Sequence, residues 1–141
     1  MNKKQMILAA MMLFAATNLS YAQLFFPVLG KYTPAEKERI DKLIAISLNS
    51  ENRGVVESAL AIATMIKMDL PTDELPMIKA KIENLAKSSI VPAIRYKACI
   101  AKAVFDNPAK FKQEAVRQYN NSNEFFSAMD GTLNQTMLSS K

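Results

Sequence analysis

NRGVVESALAIATMIKM, residues 52–68, decides the fold. From Val55 to Met68 its only polar side chains are Glu57, Ser58, Thr64 and Lys67, so apolar groups point almost all round a helix. Such a helix is stable only at the centre of a structure. Ser50-Glu51-Asn52-Arg53-Gly54 reads as the turn that opens it. Upstream, Thr33-Pro34-Ala35-Glu36 is a capping box with proline at the first helical position, and Ile40, Leu43, Ile44 and Leu48 follow at helical spacing, predicting a helix over 34–48. Downstream, Pro71-Thr72-Asp73-Glu74 punctuates again, with Asp73 and Glu74 suited to a positive helix N-terminus and Pro76 tolerable only in a first turn. Leu75, Ile78, Ile82 and Leu85 form the stripe of this third helix.

Ser88-Ser89 ends it, and a fourth helix from Ile90 or Pro92 to Phe105 turns Ile94, Ala98, Ala101 and Phe105 inward. Asn107-Pro108 caps a fifth, with Phe111, Ala115 and Tyr119 on one face. Residues 120–141 are rich in Asn, Ser and Thr, with Phe125-Phe126 as the one strong apolar pair and Asp130-Gly131 as a turn. They read as a polar, partly disordered tail.

Slid along itself by an offset of 39, the chain places Val55, Ala59 and Ile66 on Ile94, Ala98 and Phe105, and Leu43 and Ile46 on Ile82 and Leu85. Two helix pairs, about 34–68 and 73–107, thus share a pattern. With Asn52-Arg53-Gly54-Val55-Val56-Glu57-Ser58-Ala59 and Ile94-Arg95-Tyr96-Lys97-Ala98 at the second helices, the chain resembles the HEAT-like α-helical repeat family. The resemblance implies an all-α fold, a short right-handed stack of antiparallel helix pairs with about two repeats and a capping helix. Ile94-Arg95 matches the aliphatic-Arg pair of that family, whereas Val55-Val56 departs from it. The alanines Ala59, Ala61, Ala63, Ala98, Ala101 and Ala103 permit close approach of the second helices.

The 141 residues contain no His, no Trp and one Cys. A Ser-His-Asp triad, a His-ligated metal, a four-Cys zinc site and an internal disulfide are therefore excluded, and with 3 Gly there is no phosphate-binding glycine loop. Cys99, mid-helix and without a histidine base, reads as a buried structural thiol. Glu36/Glu38 and Asp73/Glu74 sit at helix starts, where the macrodipole accounts for them, and Met65, Met68, Met77, Met129 and Met137 read as core filler. No cofactor, no metal and no enzymatic activity are expected.

At the N-terminus, Lys3-Lys4, the apolar run Met6–Ala16 and Ser20-Tyr21-Ala22 read as a cleavable signal, residues 1–22, of bacterial type. The run is too short to span a bilayer, so the mature protein is expected in the periplasm or secreted, with no transmembrane segment. Residues 23–32 form an apolar lead-in with Leu24, Phe25, Phe26, Val28 and Leu29, expected to pack across one end of a helical-repeat domain over 33–119.

Charge is uneven. Lys31–Ile78 carries 6 basic and 8 acidic residues, whereas Lys79–Arg117 carries 9 basic and 3 acidic, a net +6. This pattern points to a non-enzymatic module binding an acidic protein partner through Arg95, Lys97, Lys102, Lys110 and Arg117. Nucleic acid is disfavoured by export and by few interleaved aromatics. The alternative is a small bundle holding an apolar ligand between its helices, or an anionic envelope component on its basic half.

Overall fold

The structure is a computed structural model that describes residues 32–139. The expected signal, its cleavage site after Ala22, and the lead-in up to Lys31 lie outside the described residues. Among the described residues the chain is all-helical: α1 (Pro34–Ser47), α2 (Arg53–Asp69), α3 (Pro76–Ser88), α4 (Pro92–Asp106), a 3-10 turn (Pro108–Phe111), α5 (Lys112–Ala115) and α6 (Ser122–Ser139). No described helix is long and apolar enough to cross a membrane.

The capping box at α1 forms as its residues dictate. The Glu36 amide donates to Thr33 Oγ1 at 3.3 Å, and the Thr33 amide donates to Glu36 Oε2 at 2.8 Å. At α2, Asn52 Oδ1 accepts from the amides of Gly54 and Val55. Helix α3 has no such local help, because Pro76 lacks an N–H and the preceding residue is leucine. Its cap comes from α1 instead: the buried Asp41 carboxylate accepts from Met77 N at 3.0 Å and from Ile78 N at 2.8 Å. Those two amides are the orphan donors of the first turn. Leu75, which leads into this cap, is the one non-glycine residue with positive φ (46°) among the described residues. Asp73 and Glu74 precede the helix and do not belong to its first turn.

The elements pack as two helix pairs, α1 on α2 and α3 on α4, with α1 beside α3 and α2 beside α4. The short links 48–52 and 89–91 make each pair antiparallel. Helix α2 is central, as its composition demands: Leu60, Ala61, Ala63 and Thr64 have no exposed surface. Thr64 satisfies its hydroxyl on the Leu60 carbonyl at 2.7 Å. Of the alanines expected at the helix contact, Ala59, Ala61, Ala63, Ala98 and Ala101 are buried and Ala103 is half-buried.

The offset of 39 holds for α2 and α4, where Ala59 and Ala98, and Ile66 and Phe105, are all buried. It fails for the other pair: Leu43 and Ile46 are exposed, whereas Ile82 is buried and Leu85 half-buried. Val55 is likewise exposed where Ile94 is buried. The inward faces of α1 and α3 align at 37, setting Asp41, Ala45 and Leu48 on Ile78, Ile82 and Leu85. In that register α3 runs past the position where α1 ends, by one turn, and its link to α4 is shorter than the link from α1 to α2. The two differences together turn an offset of 37 into one of 39.

The C-terminal half departs from the sequence expectation. The fifth helix stops at Ala115, and Tyr119 lies outside it, buried, with its hydroxyl donating to Glu114 Oε2 at 2.6 Å. On a continuous helix, at about 100° per residue, Tyr119 would point away from Glu114 and could not make this bond. The supposed tail is helix α6, packed on α2 and α4, with Phe125, Phe126 and Met129 buried. Asn121 Oδ1 caps it by accepting from Glu124 N at 2.9 Å, and Asp130-Gly131 is helical.

Candidate interaction surface

Helix α4 has two chemically distinct faces. Ile94, Lys97, Ala98, Ala101, Val104 and Phe105 point inward. Arg95, Cys99, Lys102 and Asp106 follow at i, i+4, i+7 and i+11, a single outer stripe. Cys99 is therefore exposed, contrary to the buried thiol expected; its Sγ lies 3.8 Å from the Ala86 carbonyl oxygen, which accepts from it. On the same stripe Lys102 Nζ lies 2.5 Å from Asp106 Oδ2, and Arg95 Nη1 donates to the Ser89 carbonyl at 2.8 Å.

Lys97 is turned the other way. Only 5% exposed, it places Nζ 2.5 Å from Glu57 Oε2 of α2 and 5.8 Å from the Phe126 ring centroid of α6. Glu57 also receives Arg53 Nε at 2.6 Å. Burial pushes the Glu57 carboxyl up, but the hydrogen bonds and charges of Lys97 and Arg53 outweigh it and hold the carboxyl below its ordinary range. Lys97 thus joins three helices and is not available to a partner.

The remaining cations divide similarly. Lys67 is buried over the Phe105 ring, donating to the carbonyls of Pro71 and Asp73. Burial lowers its pKa, against the opposing charge of Asp73. The Asp73 carboxylate in turn pairs with Lys37 at 2.9 Å, so this acid joins α1 to the α2–α3 link. Arg117 pairs with Glu114 at 3.2 Å while its side chain remains largely exposed, and Lys110 is exposed on the 3-10 turn. Of the five basic residues that sequence singles out, the structure brings Arg95 and Lys102 onto one stripe, buries Lys97, and sets Lys110 and Arg117 on the chain that follows α4.

Glu114 is the polar hub of the C-terminal half. Buried, it accepts from Tyr119 Oη, from Thr132 Oγ1 at 3.1 Å and from Arg117. Burial and then the Glu114 carboxylate push the Tyr119 phenol up. No protein-family model, curated protein or solved structure matches the chain. No group of three or more Cys, Asp or Glu side chains that could hold a metal ion occurs among the described residues. Of the paired acids at helix starts, Glu36 is held in its capping box and Asp73 in its ion pair.

Asp41, Glu57 and Glu114, the three acids that organise the interior, escape sequence reading. Asp41 leaves a local trace, as a charge within the inward positions Ile40, Ile44, Ala45 and Leu48, and Glu57 another, as the one acid between Val55 and Met68 of the apolar α2; Glu114 leaves none.

Proposed function

We propose that this protein is an exported, non-enzymatic helical module, a short stack of HEAT-like pairs that binds an acidic protein partner in the bacterial envelope. The observation that carries this reading is the survival of the charge excess at the surface. Between Lys79 and Arg117, folding buries one cation, Lys97, and one of three carboxylates, Glu114. The eight cations and two carboxylates left keep the surface excess at +6. The side-by-side helix pairs support the stack, and a rigid scaffold of this kind recognises by shape and charge rather than by chemistry. The binding surface is centred on Arg95 and Lys102 of α4 and continues along the chain that follows to Lys110 and Arg117.

The test is affinity capture from cell-envelope extract at low and high salt, with wild-type protein beside Arg95→Glu/Lys102→Glu. A specific partner released by high salt and absent from the variant is the expected result. The same proteins captured by both would remove this surface.

A further inference from the structure

Helix α2 is covered at Val56, Ala59, Leu60, Ala61, Ala63, Thr64, Ile66 and Lys67, which leaves one stripe at i, i+3, i+7 and i+10: Val55, Ser58, Ile62 and Met65. Val55 is exposed and the other three are half-buried. On α1 the matching feature is Leu43 and Ile46, 54% and 60% exposed. These two follow Asp41 by two and five positions, which at about 100° per residue sets both on the far side of α1 from it. The Asp41 carboxylate marks the side facing α3. Both helices of the first pair therefore turn an aliphatic surface away from the second pair.

We propose that this surface is the docking site of the chain's own apolar segment, Leu24 to Leu29. Every residue from Leu24 to Gly30 is uncharged and, glycine apart, apolar, so the segment needs cover as much as the stripe does. It leads directly into Tyr32, which packs against the core at the start of α1. Residues 23–31 reach about 30 Å when extended, whereas the 14 residues of α1 measure about 21 Å. A segment folded back at Thr33 therefore reaches Leu43 and Ile46 with length to spare.

Tethering also favours this occupant over a second copy, because the effective concentration of a short linked segment is in the millimolar range. A stable dimer needs about 800 Å² from each partner, more than a few partly covered aliphatic side chains offer. The stripe lies on α1 and α2, whereas Arg95 and Lys102 lie on α4.

The experiment places a photo-cross-linking benzoylphenylalanine at Phe26 of the full chain and maps the products by mass spectrometry. Cross-links within one chain to 43–46 or 55–65, lost in Leu43→Ser/Ile46→Ser and kept in Leu138→Ser, are the expected result. Leu43, Ile46 and Leu138 are all exposed, so the variants should keep their helicity, which circular dichroism checks. Cross-links between chains would assign the stripe to a second copy and overturn the proposal. Products elsewhere on the chain, or none, would overturn it as well.

Discussion

The carboxylate of Asp41 reaches 37 residues along the chain to accept the Ile78 amide at 2.8 Å, so that one helix is started by the side chain of another. Removing this acceptor strands two amides at a buried helix end. Asp41→Ala should cost about 1–3 kcal/mol in urea unfolding, and Asp41→Asn, which keeps one oxygen, should cost less. Equal losses for both would mean that one oxygen cannot cap α3 and that the whole carboxylate is required.

Lys97 and Glu57 make a second prediction. Lys97→Met leaves Glu57 with Arg53 as its remaining cation partner among the described residues and should destabilise by about 2–3 kcal/mol, whereas Lys97→Met/Glu57→Leu should come close to wild type. Because Lys97 faces inward, capture of a partner by the double variant should be unchanged. A double variant as unstable as the single one would show that the pair is more than mutually compensating.

The pH profile follows from the same groups. The folded-state pKa of Glu57 lies below its unfolded value, so its contribution is present above about pH 4.3 and is lost as pH falls through the folded value. Tyr119 has the opposite sign. Its pKa is raised by burial and by Glu114, so its contribution is full below about pH 10 and declines as the pH rises above that. Denaturant midpoints measured across pH should therefore fall at both extremes. Tyr119→Phe should remove its part of the alkaline decline and leave the acid limb in place.

Gly131 is exposed in the interior of α6, and a Cβ built on it meets nothing within 4 Å. Gly131→Ala should therefore raise stability by about 0.5–1 kcal/mol, read as a higher Tm. A lowered Tm would mean that residues 130 and 131 form the turn that their sequence suggests.

What is legible in the sequence is local. Thr33 and Glu36 lie one helical turn apart and find each other without the rest of the fold, and the apolar make-up of α2 leaves it nowhere to go but the centre. The Arg95–Lys102 stripe follows from helical spacing alone. What the sequence hides is decided at a distance. Helical spacing from Ile94 already turns Lys97 inward, but the partners that accommodate its charge, Glu57 of α2 and Phe126 of α6, are set by the fold. Cys99 reads as an interior residue from its apolar chain neighbours, but helical spacing, four residues after Arg95 and three before Lys102, already sets it on their outer stripe. Helix α6 is masked by its Asn and Ser content, although Phe125, Phe126, Met129 and Leu133 carry a helical stripe that points to it.

The register of 37 sets Ile78 of α3 where α1 carries Asp41, and isoleucine has no acceptor to offer a following helix. A third pair laid beside α3 in the same manner would open on two bare amides. After α4 the chain instead turns through Pro108, with no side-chain cap. Lengthening this protein by copying its second pair would therefore propagate a missing contact, whereas copying its first would hand each newcomer its own starting point.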